Sequence, residues 1–227
     1  MSPSSRREED SSYAVRISWL GHAMFIVEDN SGHRLVTDPY DDHVGYPLPD
    51  IEADIVLVSH DHLDHSNVAI VKGDPTVVRN PESMQIEDIA IEGFPTYHDA
   101  SEGSERGDNI VFRWRMEGLT FVHLGDIGHL MEKSLAEELS GIDVLFVPVG
   151  GTFTIDDAQA AETVEALKPR IAIPMHFKND ACGFPIKTVQ PFLSRFSSAA
   201  KLGKPSVRVS GQDLPEPTRV LVLDYMS

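Results

Sequence analysis

Seven residues, Ser59-His60-Asp61-His62-Leu63-Asp64-His65, constrain this chain more than any other stretch. They hold three imidazoles and two carboxylates. The run directly before them, Asp54-Ile55-Val56-Leu57-Val58, is short and rich in β-branched residues, so it reads as a buried strand. The polar cluster therefore leaves the end of a strand and enters a loop. Imidazole and carboxylate together suit zinc, manganese or iron. His60 and His62 are two residues apart, so in extended chain they project the same way and can share one ion. Asp64 and His65 lie past the bend and can turn toward a second. Ordinary loop composition does not account for histidines this dense.

The remaining chain is long enough for a sizeable core. Its 227 residues suit one generous domain, and 41% of them are hydrophobic, as in soluble globular proteins. A formal net charge of −17 disfavours a partner held through nucleic-acid phosphates or an anionic membrane. No run reaches the roughly 18 apolar residues of a membrane span. The single cysteine, Cys182, forbids an intrachain disulfide and fits a reducing, cytoplasmic setting. Met1 to Ser12 is rich in Ser, Arg and Glu without an apolar stretch. It is expected to be a disordered tail and not a signal peptide, leaving residues 13–227 as one domain.

Strands are expected over Val15–Leu20, Ala23–Val27 and Arg34–Thr37, with a turn at Gly21-His22 and a hairpin at Asp29–Gly32. Tyr40–Pro49 is loop. After the histidine cluster, Asn67–Val71 is expected as a short helix and Thr76–Arg79 as a strand. Gln85–Ile91 and Gly93–Tyr97 read as two paired strands, followed by a mobile loop over Asp99–Asp108. Ile110–Met116 and Leu119–Leu124 form a hairpin. Helices are expected over Glu132–Leu139 and Ala158–Leu167, the latter opened by a capping box in Thr154–Asp157 and stopped at Lys168-Pro169. Strands at Val144–Val147, Ile171–Met175, Val207–Val209 and Arg219–Leu223 complete the chain.

One regularity organises these elements. Apolar runs stop repeatedly at a metal-type residue: Asp38, His60, His98, Asp126 and His176. If the strands lie in packed sheets, their ends can converge on one edge, a rigid mounting that suits metal chemistry.

In order, the motifs Thr37-Asp38-Pro39, His60-Asp61-His62-Leu63-Asp64-His65, His98, Leu124-Gly125-Asp126 and Pro174-Met175-His176 resemble those of the metallo-β-lactamase superfamily. The stretches Leu124–His129 and Pro148–Gly151 resemble a compact branch of small metal-dependent hydrolases related to the ascorbate-phosphate lactonase type. The resemblance implies an α/β fold, an αββα sandwich of two mixed sheets flanked by helices, with the site at one edge. It implies a first ion on His60, His62 and His98, a second on Asp64, His65 and His176, and Asp126 bridging both. Asp38 would orient a ligand histidine without binding metal.

Two divalent ions about 3.5–4 Å apart, zinc first with manganese or iron as alternatives, can hold a hydroxide that attacks an ester, lactone or phosphodiester. Asp64 and His22 are the candidate proton-transfer groups, and Lys178 and His129 the candidate substrate contacts. His123, alternating with Phe121 and Leu119, is expected to be a core histidine. The expected partner is a small-molecule substrate, and a homo-oligomer is a common form for such enzymes. The alternatives are a persulfide-dioxygenase-like oxidoreductase using one iron on three histidines, a nuclease of the same fold, and a non-catalytic binding protein that keeps the fold.

Overall fold

A computed structural model describes residues 13–226; the N-terminal tail expected over residues 1–12 lies outside the described residues. The strands are β1 (Ala14–Gly21), β2 (Met24–Glu28), β3 (Arg34–Thr37), β4 (Ile51–Glu52), β5 (Ile55–Leu57), β6 (Val71–Lys72), β7 (Thr76–Val78), β8 (Met84–Ile86), β9 (Ile89–Tyr97), β10 (Asp108–Met116), β11 (Leu119–His123), β12 (Val144–Pro148), β13 (Ile171–Met175), β14 (Ala200–Lys201), β15 (Ser206–Ser210) and β16 (Arg219–Val222). Six form one sheet in the order β15-β1-β2-β3-β5-β7, and eight form a second in the order β14-β16-β13-β12-β11-β10-β9-β8. Both sheets are mixed. In the first, β1, β2 and β3 are antiparallel while β3, β5 and β7 are parallel. In the second, β11, β12, β13 and β16 are parallel while β9, β10 and β11 alternate.

The topology answers why the motif residues meet. Strands β1, β3 and β5 all run the same way in the first sheet, as do β9, β11 and β13 in the second. Each is followed directly, or within three residues, by a metal-type side chain. Six carboxyl-terminal strand ends thus share one edge of the sandwich.

The sheets are held face to face by an apolar core. Ile17, Trp19, Phe25 and Leu57 from the first sheet pack with Phe112, Trp114, Phe121 and Phe146 from the second, all buried. Phe25 meets Phe146 across the gap at 4.4 Å between ring centroids, and Trp114 lies parallel to Phe121 and Phe146. The central strands β12 and β13 are buried at every position, as expected where both faces of a sheet are covered. Helix α1 (Lys133–Glu138) and helix α2 (Asp157–Leu167) lie on that sheet's outer side, with Ala160, Ala161, Val164 and Leu167 turned into the core. The capping box that opens α2 is Asp156 with Gln159: Asp156 Oδ1 accepts from the Ala158 and Gln159 amides, and Gln159 Oε1 accepts from the Asp156 amide. A one-turn helix, α3 (Gln190–Leu193), had no strong periodic signal.

Over the first sheet the outer layer is lighter. Leu20, Met24, Val36, Val56 and Val58 are covered by Tyr40, Val44, Tyr46, Cys182 and Ile186, which come from loops and the 3₁₀ turn Asp42–Val44. The short helix expected at Asn67–Val71 is a single 3₁₀ turn, Val68–Ile70. A larger correction concerns Gln85–Tyr97. β9 is one continuous strand, and its hairpin with β8 turns at Glu87-Asp88, where Glu87 has φ 52°. Gly93 does not break the strand. A Cβ there would lie 2.7 Å from Pro81 Cα, so glycine permits a close crossing of chain.

Candidate metal centre

The loop after β5 places His60 and His62 beside His98 from the end of β9. Their ring centroids are 4.6–4.9 Å apart, and their ligand atoms lie within 4.8 Å of one another. Asp64 and His65, past the bend, meet His176 from the end of β13 in a second group of the same compactness. Asp126, three residues beyond the end of β11, lies between. Its Oδ2 is 3.1 Å from His65 Nε2, 3.2 Å from His176 Nε2 and 3.4 Å from His98 Nε2. Every residue that the sequence placed around two ions is therefore in one cluster.

The hydrogen bonds around the cluster set its tautomers. Asp38, fully buried, accepts from the Ser59 amide and hydroxyl, both at 2.7 Å, and from His65 Nδ1 at 2.9 Å. With the Ser59 hydroxyl proton given to Asp38, the 2.9 Å contact from His60 Nδ1 makes His60 the donor to Ser59 Oγ. Both rings then carry a proton on Nδ1, which leaves Nε2 as the atom that faces the cluster. This places Asp38 behind His65, the position expected for it.

Whether the set fits cations is answered by its unpaired atoms. Among the described residues, His60 Nε2, His65 Nε2, His176 Nε2 and Asp126 Oδ1 are buried without a hydrogen-bond partner. Buried polar atoms are ordinarily satisfied, so four converging metal-type ligand atoms without partners fit a cation-binding centre.

The electrostatics agree. Burial pushes the Asp126 carboxyl up, but the His176 and His65 rings outweigh it and hold the group well below the carboxylate range. Asp38 and Asp64 are likewise lowered against the opposing effect of burial, Asp38 by the His65 hydrogen bond and Asp64 by His65 and His22. All three are anions. Burial drags His60 down to about 3, with the nearby His65 adding to it, so His60 is neutral. His65 goes the other way: burial lowers it, but the nearby Asp126 and Asp64 carboxylates and the hydrogen bond to Asp38 raise it well above its ordinary value.

His22 belongs to the second group. Its ligand atom lies within 4.8 Å of those of Asp64, His65 and His176, and its Nε2 is 3.1 Å from Asp64 Oδ2. The ring is fully buried, 4.1 Å from that of His176, and burial lowers its pKa to about 4. His22, Asp38 and His176 all have positive φ, 52°, 39° and 52°. Side chains other than glycine seldom adopt this conformation, and its cost concentrates at functional sites.

The two expected substrate contacts, Lys178 and His129, are engaged within the protein. Lys178 Nζ donates to the carbonyls of Cys182 and Phe184, so its charge ties down its own loop. His129 is also engaged: Nδ1 donates to the Leu130 carbonyl at 2.9 Å, and Nε2 receives the Tyr97 amide at 3.4 Å. His123 is the core histidine expected. Its Nε2 donates to Ala23 O and its Nδ1 accepts from the Gly125 amide.

Three positioning residues escaped the sequence. Ser59 links Asp38 to His60. Buried Asn109 receives the Asp126 amide on Oδ1 at 2.9 Å and donates to Thr96 Oγ1 and Leu124 O, fixing the loop that carries Asp126. Asp99 accepts from the amides of Ser101, Gly103, Glu105 and Arg106, so the loop after β9 is gathered around one carboxylate. Only the dense Gly, Ser and Asp composition of 99–108 hinted at such a turn.

Among the described residues, no helix is long and apolar enough to cross a membrane. A family model described as a β-lactamase superfamily domain matches residues 16–176. A UPF0173 metal-dependent hydrolase of Pyrococcus abyssi is 32% identical over 192 residues, covering 72% of this chain and 84% of that protein. A Thermotoga maritima structure, assigned as a zinc-dependent hydrolase of the metallo-β-lactamase superfamily, aligns with TM-score 0.78 and 36% identity over 93% of this chain and all of that one. Igni18, a metallo hydrolase of Ignicoccus hospitalis, shares the fold at TM-score 0.67 and 21% identity, covering 87% of this chain and 99% of its own. With five motifs gathered at one sheet edge and relatives of this kind along most of its length, the chain belongs to the metallo-β-lactamase superfamily, among its UPF0173 metal-dependent hydrolases.

Proposed function

We propose that the protein hydrolyses an ester, lactone or phosphodiester bond in a small molecule at a dinuclear centre. His60, His62 and His98 would hold one ion; Asp64, His65 and His176 would hold the other; Asp126 would touch both. The observation that carries this reading is the set of buried, unpaired Nε2 and carboxylate atoms converging from both sheets. A neutral imidazole and carboxylate set suits zinc first and also accepts manganese or iron. Such ions, when bound, supply Lewis-acid polarisation and a water acidic enough to react near neutral pH.

The chain's own groups do the rest. Asp38 holds His65 by its Nδ1 proton and so keeps Nε2 turned inward. Asn109 holds the Asp126 backbone in place. His22, kept neutral by burial, donates to Asp64 Oδ2 and fixes that carboxylate at the centre. Asp64 is then the group placed to accept a proton and return it to the leaving oxygen. No serine or cysteine nucleophile is required.

The test is metal content by mass spectrometry on protein purified without chelator, with turnover of a panel of lactones, carboxylic esters and phosphodiesters. Two ions per chain, and hydrolysis abolished by chelator and by His62→Ala, are expected. One iron per chain with oxygen uptake would replace this reading with an oxidative one.

A further inference from the structure

We propose that Arg106, seconded by Arg79, binds a negatively charged group of the substrate, so that the preferred esters or lactones carry a carboxylate or phosphate away from the cleaved bond. This rests on the hydrolytic reading above. A cavity of about 450 Å³ runs alongside the first histidine group. His60 and His62 line it on one side, and Arg79 and Arg106 are part of its wall. The chain has 19 Lys and Arg against 36 Asp and Glu, so two arginines on one cavity beside the centre are not a consequence of composition.

Arg106 is anchored by its backbone and lightly held by its side chain. Its amide donates to Asp99 Oδ2 at 2.8 Å, which fixes where the side chain starts. Among the described residues its guanidinium reaches only the Thr152 carbonyl at 3.4 Å and Glu105 at 3.8 Å, and lies 5.8 Å from the Phe153 ring centroid. Phe153 packs on Phe184, and Phe184 sits edge-on against His22. Arg106 therefore shares the cavity wall with His60 and His62 and also adjoins an aromatic path to His22. A planar fork with donors left over suits a carboxylate or phosphate.

Arg79 is bonded to Asp61 at 2.7 Å, but the Asp61 side chain is 87% exposed. Exposed pairs contribute little, so a substrate anion can take the place of Asp61. Asp61 and Asp108 also line the cavity and Glu105 lies beside Arg106, so the wall has no general excess of positive charge. Recognition must come from the arginine fork and not from a field. The overall charge of −17 repels anions at a distance, and an anionic substrate is held only where such a local contact exists.

The experiment compares three 4-nitrophenyl esters on metal-loaded protein: butyrate, hemisuccinate and 3-phosphonopropionate. We expect one anionic ester to be preferred, and Arg106→Gln to lower the ratio of its kcat/KM to that of butyrate by about tenfold or more. Whether hemisuccinate or the phosphonate leads tells carboxylate from phosphate. In parallel, succinate and inorganic phosphate are titrated into the chelator-treated full chain while the arginine Nε–H resonances are followed by NMR. A saturable shift at Arg106, absent in Arg106→Gln, is expected. Ester cleavage without charge preference and with a silent Arg106 resonance would overturn the anion site and leave the hydrolase reading intact. A saturating Arg106 shift with no ester cleaved would keep the anion site and remove the hydrolase reading.

Discussion

Replacing Asp38 with asparagine separates the charge of this residue from its shape. The carboxylate is fully buried, sits at φ 39°, and accepts three hydrogen bonds from Ser59 and His65. Asparagine has nearly the same volume and tolerates the left-handed region. Its amide, however, offers one acceptor oxygen where two are needed. If that oxygen keeps the Ser59 amide, the NH₂ faces Ser59 Oγ and His65 Nδ1. The serine hydroxyl can turn its proton to His60 Nδ1 only if that ring moves its own proton to Nε2. His65 can answer only by moving its proton to Nε2, and that removes the lone pair aimed at Asp126 and the second group. The cost in ion affinity is the one usual for losing an outer hydrogen bond to a ligand histidine, about 10–100-fold. The ion-free protein should lose about 1–3 kcal/mol, the value of one unsatisfied buried partner. Asp38→Ala should cost more, about 3–5 kcal/mol, because it leaves the Ser59 amide and His65 Nδ1 both without acceptors. Competition with a chromogenic chelator gives the two ion affinities, and urea unfolding of the ion-free protein gives the stability. Asp38→Asn binding both ions as tightly as the wild type would refute the account of His65.

Three further outcomes follow from the same geometry. In Gly128→Ala the new Cβ would lie 2.3 Å from the His98 carbonyl, a backbone contact that no side-chain rotation relieves; a loss of about 1–3 kcal/mol and weaker binding at the first ion are expected by calorimetry. His22 is neutral in the fold with its pKa lowered to about 4, so its contribution to ion-free stability is complete above the unfolded value near 6.5 and is lost as pH falls toward 4. That loss is about 3 kcal/mol from this group, and His22→Asn should flatten the acid limb of the unfolding profile by one proton. His65 has its pKa raised by the Asp126 and Asp64 carboxylates, so ion uptake at its Nε2 should release protons, and more of them as pH falls. Titration calorimetry in buffers of different ionisation enthalpy measures it, and zero release would contradict the raised value.

What the sequence could and could not reveal divides along a physical line. The ligands were legible because each follows an apolar strand whose period is local: His60 ends one run, His176 another, and the parallel direction of the strands does the gathering. The hydrogen bonds that hold those ligands are not local. Asn109 reaches Asp126 across 17 residues, and Asp38 reaches His65 across 27. Neither spacing has a period, so Asn109 read only as a polar residue before a strand, and Asp38 was placed by family motif. The loop after β9 was misjudged for a related reason. Its glycines and serines are what a mobile segment would have, yet four amides converge on Asp99, and composition does not say where amides point.

The backbone of the centre carries the same lesson further. Gly21-His22 read as an ordinary turn, because a glycine followed by a polar residue after a strand commonly is one. The glycine is needed there: φ is 119°, and a Cβ would press into the Tyr46 ring at 2.6 Å. His22, expected at the site as a proton-transfer group, also takes a positive φ where glycine or asparagine would be less strained. Asp38 and His176 repeat the pattern at two other strand ends. Non-glycine residues with positive φ also occur at Glu87, Glu102, Glu117, Thr152 and Lys168, but His22, Asp38 and His176 are the three that face the centre. A chain selected for stability alone would place small or flexible residues at such bends. The imidazoles and carboxylate found there are tolerated where the bends aim them inward, and His22, within reach of Asp64, His65 and His176, belongs to the centre by its contacts as well as its conformation.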